Sequence, residues 1–418
     1  MTIKSAVGTS KISQSPALAV PGRLDDSTSL FRRKFSLAVF AASGMLALLL
    51  AMGIGRFAFT ALLPQMREEG LLTLSAGAFL AAANYLGYLV GALWTAFSRN
   101  ANPVRRLVGG LMVSVATTLL MSLDLGLVSW CAVRFAAGVA SAAVYVYSTG
   151  IVLRRLMALG APGWSGLHYL GVGCGITVSA LFGQFMLAQG SAAGGWLGLG
   201  VVAGVAAVCA ALGLVPAGRR AMSVAENAAV QAAAMQPKPL GWLAASYGLA
   251  GFGYIVNMTF LPVMLRGDAG TADAALTGWL VVGIAALPAT ALWVRIALRY
   301  GTYQALIACT LLQAVGVALP VLVPGVSSAM FGAALLGGTF MGIAGLAQWL
   351  ARVPDPASSA RRIGLITAFY GVGQIAGPSL VAALDRGKDF TLPVLLAATA
   401  LLLSAALLEV SRRVEKLS

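Results

Sequence analysis

Two arginines, Arg56 and Arg134, lie inside apolar runs long enough to cross a bilayer. A guanidinium in hydrocarbon costs about 2.5 to 3.5 kcal/mol even on insertion-based scales, so each must face protein, water or a ligand. Arg56 belongs to Gly53-Ile54-Gly55-Arg56-Phe57-Ala58-Phe59-Thr60-Ala61-Leu62-Leu63-Pro64. It precedes the end of its run by about as many residues as Arg134 follows the start of its own, so both cations come to a similar depth, roughly 9 Å at 1.5 Å per residue. Two planar forks of donors at one level could clamp a carboxylate, sulfonate or phosphate. The competing use of either guanidinium is to donate to backbone carbonyls of a neighbouring helix.

The remaining polar groups of the apolar runs are hydrogen-bonding in kind. Arg134, Gly138, Ser141, Tyr145 and Ser148 recur at steps of three and four, which makes one helical face polar or small throughout. Similar stripes join Gly53, Arg56 and Thr60, then Tyr247, Tyr254 and Asn257, then Gly338, Met341, Gly345 and Gln348. Asn84 with Tyr88, and Tyr370 with Gln374, stand one turn apart. Each can contact a solute or only join two helices. His168, the one histidine, could relay a proton or cap a helical turn.

Acids are absent from these runs. All 13 Asp and Glu fall in tails, loops or run ends, so no mid-membrane carboxylate is available to carry a proton or hold Na⁺. No phosphate-binding glycine loop, Ser-His-Asp set or cluster of zinc ligands occurs, which speaks against an ATP-driven pump and against an enzyme. No cofactor and no metal is expected. Cys131, Cys174, Cys209 and Cys309 lie unpaired in apolar runs and read as small core residues.

The elements that must position these groups follow from composition. Of the 418 residues 59% are hydrophobic and 10% charged, with a mean hydropathy of +0.88, where soluble domains carry about 25% charge. The chain is therefore an all-α integral membrane protein. Twelve apolar runs fall at about 36–62, 75–97, 105–123, 128–150, 165–188, 195–215, 241–264, 275–298, 303–323, 328–350, 363–384 and 391–410. Residues 1–33, rich in Ser, Thr, Pro and Lys, read as a disordered tail. Residues 34–216 and 241–411 form two six-helix halves, 217–240 a linker and 412–418 a second tail.

The net charge of +15 would suggest a nucleic-acid partner in a soluble protein, but here the positions of the charges explain it. If the first run leaves the cytoplasm, 22 of the 28 Lys and Arg fall inside, four outside and two within runs, in accord with the positive-inside rule. Both termini and the linker are thus predicted to be cytoplasmic. Cysteines placed at positions 69 and 268 should label from outside intact cells and those at 230 and 415 should not; strong labelling at 230 would reverse the orientation.

The halves repeat one another. Gly251-Phe252-Gly253-Tyr254-Ile255-Val256-Asn257-Met258-Thr259-Phe260-Leu261-Pro262 restates the Gly-x-Gly and Leu-Pro of the Arg56 stretch, with Tyr254 in place of the arginine. Gly171 and Gly173 are matched by Gly371 and Gly373, and Gly138 by Gly338. Two homologous halves are a common plan of secondary transporters.

On this plan the chain resembles the major facilitator superfamily. Gly55-Arg56-Phe57 with Leu63-Pro64, Ala83-Asn84-Tyr85-Leu86-Gly87-Tyr88-Leu89 and His168-Tyr169-Leu170-Gly171-Val172-Gly173-Cys174-Gly175-Ile176 are similar to the bacterial YbfB/YjiJ-like branch. Arg134 with Gly138 resembles the Arg-x-x-x-Gly signature of span 4. Gly373-x-x-x-Gly377-Pro378 resembles the Gly-Pro signature that the family places in span 5. The signature between spans 2 and 3 is degraded, with Thr95 where an acid is expected.

The resemblance implies that spans 1, 4, 7 and 10 line a central cavity. It also implies a secondary or facilitative transporter of the bacterial inner membrane, working by alternating access on a small polar or anionic solute. A monomer is expected, and if transport is coupled to a co-transported proton, that proton must travel on the solute, on His168 or through water near the arginines. Efflux of amphiphilic compounds, or a sensor that binds without transport, are the other readings. Arg56, Thr60, Asn84, Tyr88, Arg134, Tyr145, Tyr254, Asn257, Gln348, Tyr370 and Gln374 are the expected solute contacts, and His168 the expected relay.

Overall fold

A computed structural model describes residues 24–98, 102–187, 191–225, 240–269, 272–352, 356–384 and 389–417. Twelve helices among them are long and apolar enough to cross a membrane. In the first half these are α1 (Lys34–Glu68), α2 (Leu74–Phe97), α3 (Pro103–Leu120), α4 (Gly126–Ala158), α5 (Ser165–Gly183) and α6 (Ala192–Arg219). The second half contains α7 (Gly241–Arg266), α8 (Ala274–Tyr300), α9 (Thr302–Leu322), α10 (Val326–Ala351), α11 (Arg361–Leu384) and α12 (Thr391–Glu415). Each matches one apolar run, because in a bilayer backbone groups must pair within their own segment and run length sets helix length.

The ends depart from the expected boundaries. Helical backbone preceding α1 begins at Leu24, inside the stretch read as a tail, and that following α6 continues to Ala225, inside the stretch read as a linker. Residues 1–23 and 226–239 lie outside the described residues.

Within each half, long helices pair face to face: α2 on α4 and α8 on α10, with α7 against both α11 and α12. The halves meet along two seams, α5 with α8 and α2 with α11. The helices nearest the centre are the most enclosed. In its most apolar window α7 is 83% buried, against 33% for α6. Cys209, on α6, is exposed rather than a core residue, because α6 turns one face outward; Cys309 is buried.

Close crossings without side chains bring α1 onto α5 and α7 onto α11. A Cβ at Gly53 would lie 2.3 Å from Gly175 Cα, and one at Gly373 2.1 Å from the Gly248 carbonyl oxygen. These crossings correct the register of the repeat. Gly173 packs across the seam on Gly283, and Gly371 across the other seam on Leu89. Gly173 therefore corresponds to Gly371 and Gly175 to Gly373, two residues from the alignment expected from sequence. Likewise Gly337, not Gly338, packs on the Val282 carbonyl as Gly138 packs on that of Asn84.

One feature has no counterpart in the second half. Residues Leu49–Phe57 of α1 form a π-helix, whereas α7 is α-helical throughout the matching stretch. Wider π turns are frequent at functional sites, and this one contains Arg56.

Candidate functional site

Donors from α4 support the π-helical stretch. Ser141 Oγ donates to the Ala51 carbonyl at 2.6 Å, and Arg134 donates through Nη1 to the Gly55 carbonyl (3.0 Å) and through Nη2 to that of Arg56 (3.1 Å). The Arg134 guanidinium also lies 4.8 Å from the centre of the Phe59 ring. Asn84 completes this group, its Nδ2 donating to the Arg134 carbonyl at 2.9 Å. Of the two uses open to Arg134, the structure thus has it bonded to backbone. Its planar fork fits two successive carbonyls that the wider turn presents.

Those bonds fix the backbone that carries Arg56. Its own side chain crosses to the second half, where Nη2 donates to Gln374 Oε1 of α11 at 3.1 Å. Gln374 Nε2 in turn donates to the Tyr254 hydroxyl of α7. The guanidinium carbon lies 4.1 Å from the centre of the Tyr88 ring and 5.3 Å from those of Tyr85 and Phe57. Arg56 is 2% exposed, its Nε has no hydrogen-bond partner, and among the described residues it forms no ion pair. The aromatic faces offset some of the burial cost, on the order of 2 kcal/mol per contact when desolvated. They supply no counter-charge.

Beyond Gln374 the second half provides an aromatic wall. Tyr370 stacks on Tyr247 (4.2 Å between ring centres) and on Tyr254 (5.5 Å), and Tyr254 lies parallel to Phe340 at 6.1 Å. Further towards the side bearing the termini, Gln348 of α10 lies beside Tyr145 on α4 and Tyr247 on α7, where the halves meet. At the opposite end, Glu68 of α1 pairs with Arg266 of α7, and Thr60 Oγ1 donates to the Met258 carbonyl at 3.1 Å. The Arg56 cluster therefore lies between two bridges that join the halves.

Among the expected contacts, Arg56, Tyr88, Tyr254, Tyr370 and Gln374 come together, with Tyr145 and Gln348 in a neighbouring layer. Four others are engaged elsewhere. Arg134 and Asn84 bond backbone between helices, Thr60 joins α1 to α7, and Asn257 Nδ2 donates to the Val317 carbonyl of α9 at 3.1 Å. His168 is fully buried between α1, α4 and α5. Its Nε2 shares a 3.0 Å hydrogen bond with Thr149, and Nδ1 faces the backbone of Gly44.

Sequence reading placed Tyr247 on one stripe with Tyr254 without counting it among the solute contacts, and missed Tyr85 and Phe340 as parts of the cluster. Tyr85 could have been found from its helical spacing to Tyr88. Phe340, an apolar residue in an apolar helix, gave no signal.

Among solved structures, the chain is similar to the nucleoside transporter NupG, with 14% sequence identity and a TM-score of 0.64 over 89% of this chain and 99% of that one. At such identity the likeness shows the fold alone. No match is found among curated proteins. The family described as "Uncharacterised MFS-type transporter YbfB" matches residues 48–409, a span holding both halves and the Arg56 cluster between them, and the chain belongs to that family of major facilitator transporters.

Proposed function

We propose that the solute is a small organic anion, held at Arg56 and moved by alternating access of the two halves, in a bacterial inner membrane with both termini cytoplasmic. The observation that carries this reading is the buried guanidinium between the halves with no carboxylate partner. An uncompensated buried charge is costly, so an anion supplied by the solute is its natural complement. Tyr88, Tyr254 and Tyr370 offer flat apolar surface and hydroxyls to the rest of the molecule. The nucleoside named for the structural neighbour is uncharged and leaves the cation unmatched, which favours a carboxylate, sulfonate or phosphate.

The bridges at either end of the cluster fit a cycle in which one opens while the other holds. Any proton that crosses with the solute travels on the solute itself, since the spans offer no carboxylate in mid-membrane and His168 is buried between helices of the first half, outside the Arg56 cluster.

A thermal-shift screen of the purified protein against small metabolites, followed by flux of the hits into vesicles, tests the reading. Anions should stabilise the protein, while their uncharged amides or esters should bind at least about a hundredfold more weakly, as expected when a buried charge loses its partner. Equal binding of a neutral analogue overturns the anion assignment, and binding without flux points to a sensor. Where flux responds to a pH gradient, His168→Ala should leave that response unchanged.

A further inference from the structure

A second basic site lies on the membrane-facing side of the first half, away from the Arg56 cluster. Helices α2 and α3 part over one face of α4 to leave a groove of about 770 Å³. Its floor is apolar, formed by Phe135, Val139 and neighbouring alanines of α4, and its mouth is lined by Trp94, Arg105 and Arg106. The mouth is at the start of α3, on the side bearing the termini. From there the groove follows α3 as far as Val113, about 15 Å of helix at 1.5 Å per residue, or roughly half a bilayer core.

The two arginines are placed for an anion that comes from outside the protein. Arg106 is fixed, with its guanidinium carbon 4.2 Å from the centre of the Trp94 ring and Nη1 donating to the Tyr147 hydroxyl at 3.1 Å. Arg105 is exposed, and among the described residues neither arginine forms an ion pair. Thr95 of α2 offers them no charge, and its hydroxyl donates to the Ala92 carbonyl at 2.8 Å. The N-terminus of α3 is already satisfied, since Asn102 Oδ1 accepts from the N–H groups of Val104 and Arg105. Side chains, not helix-end amides, are left to hold charge.

A cationic mouth at interfacial depth above an apolar trough one leaflet long has the chemistry of a phospholipid with an anionic head. We infer that this groove binds an anionic glycerophospholipid of the cytoplasmic leaflet, with its phosphate at Arg105 and Arg106 and an acyl chain along Val139 and Phe135. Basic pockets between spans on the cytoplasmic side are a general means of lipid head-group recognition.

Native mass spectrometry of the full-length protein, titrated with phosphatidylglycerol or with phosphatidylcholine of the same chains, tests this. Phosphatidylglycerol should be retained about thirtyfold more strongly, the preference that two basic groups near a membrane surface supply. Arg105→Gln, a change at an exposed position, should lower the preference about fivefold. Gly109→Leu should remove bound lipid with both arginines intact. Gly109 lines the groove, and a Cβ there meets nothing within 4 Å, so the protein should still fold. Equal retention of the two lipids, a preference that survives both variants, or displacement of the lipid by millimolar inorganic phosphate alone would each overturn the assignment.

Discussion

Arg56→Ala should abolish binding of the anionic solute while the protein still inserts and purifies as a folded species. Breaking a buried charge pair costs about 3 to 5 kcal/mol, which corresponds to two to three orders of magnitude in affinity. Arg56→Lys should recover only part of the loss, because an ammonium cannot reproduce the planar fork that reaches Gln374 and would hold the proposed anion. The matching change at the other arginine separates recognition from support. Arg134→Met removes the charged donor from the carbonyls of Gly55 and Arg56, at about 1.5 to 3 kcal/mol for each hydrogen bond lost. It should therefore lower the melting temperature of the ligand-free protein, an effect expected to be small in Arg56→Ala. Isothermal titration and thermal unfolding of the three variants measure both quantities. Normal affinity in a well-folded Arg56→Ala protein would return this arginine to a structural role.

A large effect on the fold is expected at the crossing of α1 and α5. With a Cβ at Gly53 only 2.3 Å from Gly175 Cα, backbone meets backbone, and no side-chain rotation can make room. Overpacking of a core typically costs about 1 to 3 kcal/mol where side chains can adjust, and more where they cannot. Gly53→Ala should lower the melting temperature markedly, and Gly53→Leu should prevent accumulation of folded protein. Gly251→Ala should behave like Gly53→Ala, since its Cβ would approach the Tyr370 carbonyl oxygen to 2.3 Å. Gly338→Ala is the control, because a Cβ there meets nothing within 4 Å. Fluorescence size-exclusion profiles and melting curves of the four variants report the outcome. A Gly53→Leu protein with the parent's profile would mean that α1 and α5 do not cross at this point.

Arg134 illustrates how a sequence asymmetry can mislead. Neither arginine has a basic counterpart in the second half: Tyr254 stands for Arg56, and alanine for Arg134 whether the register is taken to Ala333 or Ala334. Both absences invite the view that packing common to the halves cannot require the cation, which leaves solute binding as its purpose. For Arg134 that inference fails at its premise. The packing is not common, because only α1 has the π-helical stretch whose carbonyls the guanidinium holds. Arg56 differs, since among the described residues its side chain bonds no backbone carbonyl and reaches instead between the halves to Gln374.

The sequence by itself determined the number of helices and most of their limits to within a few residues, because apolar run length and the demand for internal backbone pairing act locally along the chain. It also determined the two-half plan and the singular position of Arg56, both visible as spacing and as a charge in hydrocarbon. Only the tertiary structure decided which polar residues face one another. One wider turn at Leu49–Phe57 changes which side chains share a face of α1, and no local signal in Gly53-Ile54-Gly55 distinguishes it from the α-helical Gly251-Phe252-Gly253. Asn257 bonds to α9 and Asn84 to α4 because those carbonyls come within reach once the helices pack. Hydropathy and periodicity describe one helix at a time, whereas the partner of a buried hydrogen-bonding group depends on the approach of another.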